Sequence, residues 1–504
     1  MDPKLLERID RSTIVGLSAD IAFVPRRPHF FGGSDSIYTS HSGPHDYLQR
    51  VPMVLYGPGY VRSQGEISLD REVSLADIAP TIAELVDTPF SRAGRPLTEA
   101  LLPASERNGR PAVVAVVVWD GGGTNVLEQW PRSWPNLKKI MEEGTSVTDA
   151  VVGSSPSVTP SSHGTIGTGA FPKKHGLVDS YIRTDSGVRR TWEGRSPQAF
   201  QLPTLADLYD RREDNLPVIG VVSKISWHWG MVGQGSLFPG GDKDIATEVN
   251  ANGGVETNSS YYSLPDSAIE VPGFDEAVRS LDARDGAIDS HWFDASLDDK
   301  PSTSPAWTIH QTAIIDRVLD NEGFGDDDVP DLFFTNFKEL DIAGHNFNMV
   351  NREVKDALEI TDDQLPPLIE TLDRVAGRGR WVMMLTADHG QQPSGESLDA
   401  WSIVPSTMAD RLAEHFDVAT EDLVEQTRTT GFWLDRKVLK EAGGTMGDVA
   451  EFLLDYTIGQ SAPEDKLGDF ASRADEKLIE VALPASRIAD ALACARDRAA
   501  RSEE

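Results

Sequence analysis

The residues that could do chemistry cluster in Val151–Val178, VVGSSPSVTPSSHGTIGTGAFPKKHGLV. A hydroxyl residue, Thr159, stands beside a proline and is followed by His163, a Gly-Thr-Ile-Gly-Thr-Gly run, Pro172 and His175-Gly176. Small residues let backbone approach a ligand closely, and His163 to Ala170 reads as a helix start. A helix start offers free N–H groups and the positive end of the dipole, which suits an anion. A nucleophilic hydroxyl held there would face a phosphoryl or sulfuryl group. Segments rich in Ser, Thr and Gly are ordinarily loops, so the weight falls on the elements around this one.

Upstream lies Ala112–Asp120, AVVAVVVWD, followed by three glycines. A continuous β-branched apolar run predicts a strand buried on both faces, hence a central strand of a parallel sheet. Its terminal aspartate falls where open α/β sheets bind ligands. Two more apolar runs end the same way. Leu332–Phe337 leads into Glu339-Leu340-Asp341-Ile342-Ala343-Gly344-His345, and Trp381–Thr386 leads into Ala387-Asp388-His389-Gly390. Asp-x-x-x-His and Asp-His pairs supply the oxygen and nitrogen ligands that zinc and similar divalent metals take. One such residue reads as a cap or a loop residue. Three strand ends beside a candidate nucleophile read as a metal-dependent site.

With these motifs in place, the chain resembles the alkaline phosphatase superfamily, closest to its phosphodiesterase/nucleotide pyrophosphatase branch. The resemblance implies an α/β fold, an alkaline-phosphatase-like three-layer α/β/α sandwich with a mostly parallel central sheet and an inserted cap. It also implies two divalent metal ions, zinc in the family. Carried over residue by residue, Asp120, Thr159, Asp388 and His389 match one metal site, and Asp341 and His345 match the other. The family's last histidine has no counterpart after His389, because His415 sits in a stretch that reads as a surface helix. Residues 39–59, TSHSGPHDYLQRVPMVLYGPG, resemble the family's closing segment instead, with His41 the expected ligand and His45 the reserve. The chain is therefore expected to be circularly permuted relative to the family, the usual closing piece standing first. Adjacent termini on a compact surface make such a rearrangement tolerable.

The expected organisation is a permuted core segment at 1–105, a core unit with Asp120 and Thr159 at 106–180, and a cap with some core strands at 181–330. Core with metal ligands follows at 331–395, then peripheral helices and a small β unit at 396–504. The resemblance assigns Thr159 as the nucleophile of a phosphothreonine mechanism acting on phosphodiesters or pyrophosphates. Related monoesterases contact phosphate through a Lys-x-Arg pair and an asparagine. Here Lys224 takes the lysine position, but Ser226 replaces the arginine and Ser180 the asparagine. Ser162 stands where diesterase relatives often carry an asparagine, and His163 reads as structural. A dianionic monoester wants more positive charge than a diester, so the serine at 226 favours diesters. A monoesterase, a phosphomutase-like enzyme and a non-catalytic metal-stabilised binding protein are the alternatives. A sulfatase is a poor fit, since Pro160-Ser161-Ser162-His163 offers no arginine after the nucleophile.

The bulk properties agree with a small-molecule enzyme. The chain has 504 residues, 39% hydrophobic and 25% charged, with a formal net charge of −33. That charge argues against nucleic acid or an anionic membrane as a partner and reads most simply as solubility. The single cysteine, Cys494, excludes an internal disulfide and fits a reducing compartment. No signal-like apolar segment opens the chain and no run is long enough to span a bilayer, so a soluble cytoplasmic protein is expected. Its partner would be a small phosphate ester, and a homo-oligomer is compatible with the sequence.

Overall fold

The computed structural model describes residues 2–32, 39–250, 252–298 and 303–503. Its centre is Val113–Trp119, a strand with all seven residues buried. The side chains alternate between two cores. Val113, Ala115, Val117 and Trp119 join the cluster under the helices Ala306–Asn321, Arg352–Asp362 and Leu365–Val375. Val114, Val116 and Val118 join the cluster under Ile78–Leu85, Thr159–Thr168 and Leu205–Arg212. A strand apolar on both faces can only be satisfied this way, with helices on each side. The result is the three-layer α/β/α sandwich with a mostly parallel sheet.

The large sheet has nine strands among the described residues. Asp331–Phe337 and Trp381–Thr386 flank Val113–Trp119, both parallel to it. Ile219–Ser223 and Ile245–Val249 extend the parallel run on the Asp331 side. On the other side Met53–Tyr56 adds antiparallel to Trp381–Thr386, so residues 39–59 enter the core beside the Asp388 strand. Register matters for function. Phe337 pairs with Trp119 and Thr386 with Val118, so Lys338, Asp120 and Asp388 leave the sheet at one edge. That edge is the carboxyl end, where α/β sheets place ligands.

A second, four-stranded sheet combines Ile21–Pro25 with Val424–Arg428, Gly431–Leu434 and Ile479–Pro484. It binds the start of the chain to residues 396–504 and carries its own apolar cluster. Ile14–Leu17 forms a turn in which the Leu17 and Ser18 N–H groups donate to Ile14 O. The helices Arg352–Asp362 and Leu365–Val375 are separated by Asp363 and Gln364. No helix among the described residues is long and apolar enough to cross a membrane.

One acidic cluster lies away from the strand ends. Asp210, late in the helix Leu205–Arg212, faces Asp242 and Asp244, with carboxylate oxygens of all three within 4.8 Å of one another. Asp210 and Asp244 are buried, and Asp210 Oδ1 has no hydrogen-bond partner. Burial first, then the charges of Asp242 and Asp207, push the Asp210 carboxyl up to about 7. Its unfolded value is near 3.9, so the folded state holds a proton there that the unfolded state releases. The stability tied to that proton is complete below about pH 4 and is lost as pH rises through about 7. Asp210→Asn is expected to be about 1–3 kcal/mol more stable than the parent at pH 8 and nearly equal to it at pH 4. Urea unfolding at both pH values checks this, and an equal or lower midpoint at pH 8 would sink it.

Candidate active site

Thr159 is the first residue of the helix Thr159–Thr168, with Val158 in extended conformation before it and Pro160 in the first turn. The helix starts earlier than the sequence reading placed it. Proline is well suited to the first turn, where its missing N–H is not needed, and it starts this helix ahead of the glycine run. The ten-residue helix is entirely buried. It packs backbone to backbone on residues 226–230: a Cβ at Gly167 would lie 2.2 Å from Gly230 O. Glycine is therefore required there.

Around Thr159 the three strand ends converge. Asp120 is fully buried, and its Oδ2 accepts from His228 Nε2 at 3.1 Å and Asn336 Nδ2 at 3.2 Å. Asn336 Nδ2 also donates to His163 Nε2 at 2.8 Å, and His163 Nδ1 lies 2.8 Å from Thr159 O. With Nε2 accepting, Nδ1 is the donor, so His163 ties the Thr159 backbone to Asp120 through Asn336. Burial and the neighbouring His228 hold that imidazole well below its ordinary value, so it stays neutral. The structural reading of His163 agrees with this placement.

Asp388 Oδ1 accepts from Gly121 N at 3.0 Å. His389 Nδ1 turns to Gly390 O at 3.0 Å, leaving Nε2 aimed inward, 3.3 Å from Asp388 Oδ2 and 3.5 Å from Asp120 Oδ1. Asp341 and His345 lie one turn apart on the helix Glu339–Phe347, so both face the same way. His41 Nε2 and His345 Nε2 each stand 3.3 Å from Asp341 Oδ1. The outer nitrogens of these rings are fixed by backbone carbonyls, His41 Nδ1 on Ser157 O at 3.0 Å and His345 Nδ1 on Thr39 O at 2.6 Å. The His41 and His389 rings stack at 3.4 Å between centroids and join the two groups. His45 is elsewhere: it precedes the short helix Asp46–Gln49 and its ring stacks near Tyr47.

The two groups have the donor chemistry of metal sites. Asp341 Oδ1, Asp388 Oδ2 and His389 Nε2 are all buried without a hydrogen-bond partner. An orphaned carboxylate oxygen facing imidazole nitrogens at 3.3 Å is costly unless something joins them. Ligands about 2.0–2.1 Å from a tetrahedral zinc stand about 3.3–3.4 Å apart, which is the spacing seen. The electrostatics agree at His389, His41 and Asp388, whereas at His345 the charge of Asp341 outweighs burial and raises the imidazole above its ordinary value. Burial and neighbouring His41 push His389 down to about 3, and burial lowers His41 as well, so both are neutral imidazoles ready to ligate. Burial and the adjacent Asp120 raise the Asp388 carboxyl far above the usual carboxylate range, which marks a missing positive charge.

Three groups that the sequence reading did not single out complete the site: His228, Asn336 and Lys338. Lys338 closes the strand Asp331–Phe337, and its Nζ lies 2.9 Å from Asp120 Oδ1, 2.7 Å from Asp341 Oδ2 and 3.2 Å from Thr159 Oγ1. Burial opposes the charge, but Asp120, Asp341 and Asp388 outweigh it and hold the ammonium firmly protonated. A lysine directly after a buried strand was the available signal.

The expected substrate contacts fall differently. Lys224 is turned onto Glu339, Nζ to Oε1 2.9 Å, and lies over the Trp307 ring at 4.4 Å. Ser162 is fully buried and donates to Asp388 O at 2.8 Å. The hydroxyl expected to reach substrate is thus spent on positioning the Asp388 segment. Ser180 does line the cavity above Thr159, which has a volume of about 410 Å³. His41, Lys338, Asp341 and His345 line it together with Thr159, and Trp227 lines it from the segment expected to be the cap. Val404–Ser406 and Thr427–Thr429 also line it, so residues 396–504 build part of the cover over the site. Arg428 is among them, its Nε buried without a hydrogen-bond partner and 3.5 Å from Asp179 Oδ1.

Comparison with known proteins gives a consistent result. Residues 114–498 match the type I phosphodiesterase / nucleotide pyrophosphatase family. Alkaline phosphatase PafA of Elizabethkingia meningoseptica is 23% identical over 158 residues, which is 30% of this chain and only 29% of that protein. Alkaline phosphatase PhoV of Synechococcus elongatus is 19% identical over 420 residues, 70% of this chain and 72% of that one. The crystal structure of wild-type PafA superimposes with a TM-score of 0.53 at 16% identity, covering 74% of this chain and 84% of PafA. At that identity the superposition speaks to the fold.

Proposed function

This chain belongs to the type I phosphodiesterase / nucleotide pyrophosphatase family, and from that premise we propose that it hydrolyses phosphodiester or pyrophosphate bonds of small molecules through a phosphothreonine intermediate. The observation that carries the reading is the position of Thr159 Oγ1. Thr159 lines the cavity at the start of a buried helix, and its Oγ1 lies 3.2 Å from Lys338 Nζ, which contacts one aspartate from each of two Asp/His groups with metal-ligand spacing. Asp120, Asp388 and His389 would hold one divalent ion, and His41, Asp341 and His345 the other; zinc suits this mixed set. Two ions bound there would acidify the Thr159 hydroxyl and neutralise phosphoryl charge.

The chain's own residues set up the displacement. His163 and Asn336 fix the Thr159 backbone relative to Asp120. Ser162 and Gly121 fix Asp388. Thr159 Oγ forms the new bond to phosphorus, its proton passes through solvent to the departing oxygen, and the bond to the leaving alcohol or phosphate breaks. Water then attacks phosphorus, the Oγ–P bond breaks, and Thr159 is regenerated. Ser180 and Trp227 on the cavity wall would contact the substrate's remaining groups, and a cavity of about 410 Å³ suits a small molecule.

The chain order is inferred to be permuted relative to the family. The family match begins at residue 114, while His41, well before it, meets Asp341 and His345. A cytoplasmic location also remains a proposal, motivated by the single exposed Cys494.

The test of substrate class is hydrolysis of bis-p-nitrophenyl phosphate beside p-nitrophenyl phosphate, with zinc supplied. We expect kcat/KM for the diester to exceed that for the monoester by at least about tenfold, since Ser226 brings no charge where monoesterase relatives carry arginine. A monoester preference would overturn the diesterase reading and point to Arg428 as the missing cation.

A further inference from the structure

The ammonium of Lys338 has three N–H donors, and three acceptors are set around it: Asp120 Oδ1, Asp341 Oδ2 and Thr159 Oγ1. Each carboxylate belongs to a different one of the two Asp/His groups, so the ammonium bridges them beneath the candidate nucleophile. Asp120 gives Lys338 its Oδ1, its Oδ2 being held by His228 and Asn336. Asp341 gives Lys338 its Oδ2 and keeps Oδ1 toward His41 and His345. On the other side, Asp388 Oδ2 and His389 Nε2 stay without partners. The side chain is buried yet lines the cavity, so its charge is delivered where a ligand would sit. The cation expected at Lys224 is meanwhile tied to Glu339.

We propose that Lys338 is a catalytic residue of the phosphoryl-transfer site: its ammonium donates to Thr159 Oγ1 in the resting enzyme and to a non-bridging phosphoryl oxygen during transfer. This rests on the phosphoryl-transfer reading above. By donating to Oγ1, the ammonium stabilises the alkoxide over the hydroxyl and leaves the Oγ–H directed elsewhere. As phosphorus moves onto Oγ, a non-bridging oxygen comes within reach of the same point charge. A compact ammonium serves here better than a guanidinium, because the space lies between two carboxylates and a hydroxyl, with no flat face to pair. A fixed cation in a water-poor site is worth far more than one in solvent.

The test uses the full chain loaded with zinc and compares the parent with Lys338→Met, which keeps the stem and removes the charge. Three quantities are read: zinc per chain by elemental analysis, orthovanadate affinity by calorimetry, and kcat and KM for bis-p-nitrophenyl phosphate. The expectation is unchanged zinc content, orthovanadate bound about 10–100-fold more weakly, and kcat lowered about 10–100-fold. Lys338→Arg should recover part of the vanadate affinity. Lys338→Gln, neutral but able to donate to both carboxylates, supplies the same comparison if the Met variant does not fold. A neutral variant that binds vanadate and turns over like the parent overturns the proposal. So does one that takes up more zinc than the parent, because Lys338 would then only fill a cation's place. A parent chain that neither binds orthovanadate nor hydrolyses any phosphate ester instead removes the phosphoryl-transfer reading itself.

Discussion

Thr159→Ala is expected to lower kcat/KM for the diester by at least about a thousandfold while zinc content and melting temperature stay close to those of the parent. The reasoning starts from the helix. Alanine is compatible with the first position of Thr159–Thr168, Pro160 still sets the first turn, and the backbone carbonyl that meets His163 is retained. What disappears is Oγ1, the atom 3.2 Å from Lys338 Nζ that faces the cavity. The serines flanking Thr159 in sequence are not placed to take over. Ser162 is committed to Asp388 O, and Ser161 and Ser157 are buried side chains outside the cavity lining. Thr159→Ser keeps the oxygen and is expected to stay within about tenfold of the parent. Full turnover by the alanine variant would show that the attacking oxygen is not Thr159, and the phosphothreonine would have to be abandoned. Trapping of phosphate on Thr159 by mass spectrometry after acid quenching is the matching positive result.

His41→Ala is expected to release one of two zinc ions and lower kcat about 10²–10⁴-fold, whereas His45→Ala should keep both ions. The two histidines lie four residues apart in the same loop-rich segment, and only their surroundings separate them. His41 Nε2 points at Asp341 Oδ1 from 3.3 Å with its other nitrogen anchored on Ser157 O, and its ring stacks on His389. His45 is buried too, yet no carboxylate of the site approaches it, and burial together with Arg27 keeps its ring neutral. Zinc per chain, measured after dialysis against a weak chelator, reads the difference directly. Loss of metal in the His45 variant with retention in the His41 variant would reverse the assignment and remove the main support for a permuted chain order.

Much of this site is legible in the linear chain, for a simple reason. A run such as AVVAVVVWD has no polar face, so it must be a central strand, and a carboxylate at its end must sit at the ligand edge of the sheet. The same logic reaches Asp388, and the helical spacing of Asp341 and His345 puts them on one face without further information. His41 needed the family resemblance as well, because nothing local marks a histidine in a loop as a ligand.

Lys224 and Lys338 show where that logic ends. Both are lysines that directly follow a buried strand, Ile219–Ser223 and Asp331–Phe337, and by sequence they are equivalent. The sheet order separates them. Asp331–Phe337 lies next to Val113–Trp119, while Ile219–Ser223 is one strand further out, about 4.8 Å more. Lys338 therefore reaches Asp120 and Thr159, and Lys224 is turned onto Glu339. Arg428 is likewise a hairpin residue until the second sheet folds it over the cavity. The amino-acid sequence determines the strands, their carboxylate ends and the i to i+4 ligand pair, because burial and periodicity act locally. Which cation lies beside Thr159 was decided only by strand order and register, since those follow from contacts between segments hundreds of residues apart.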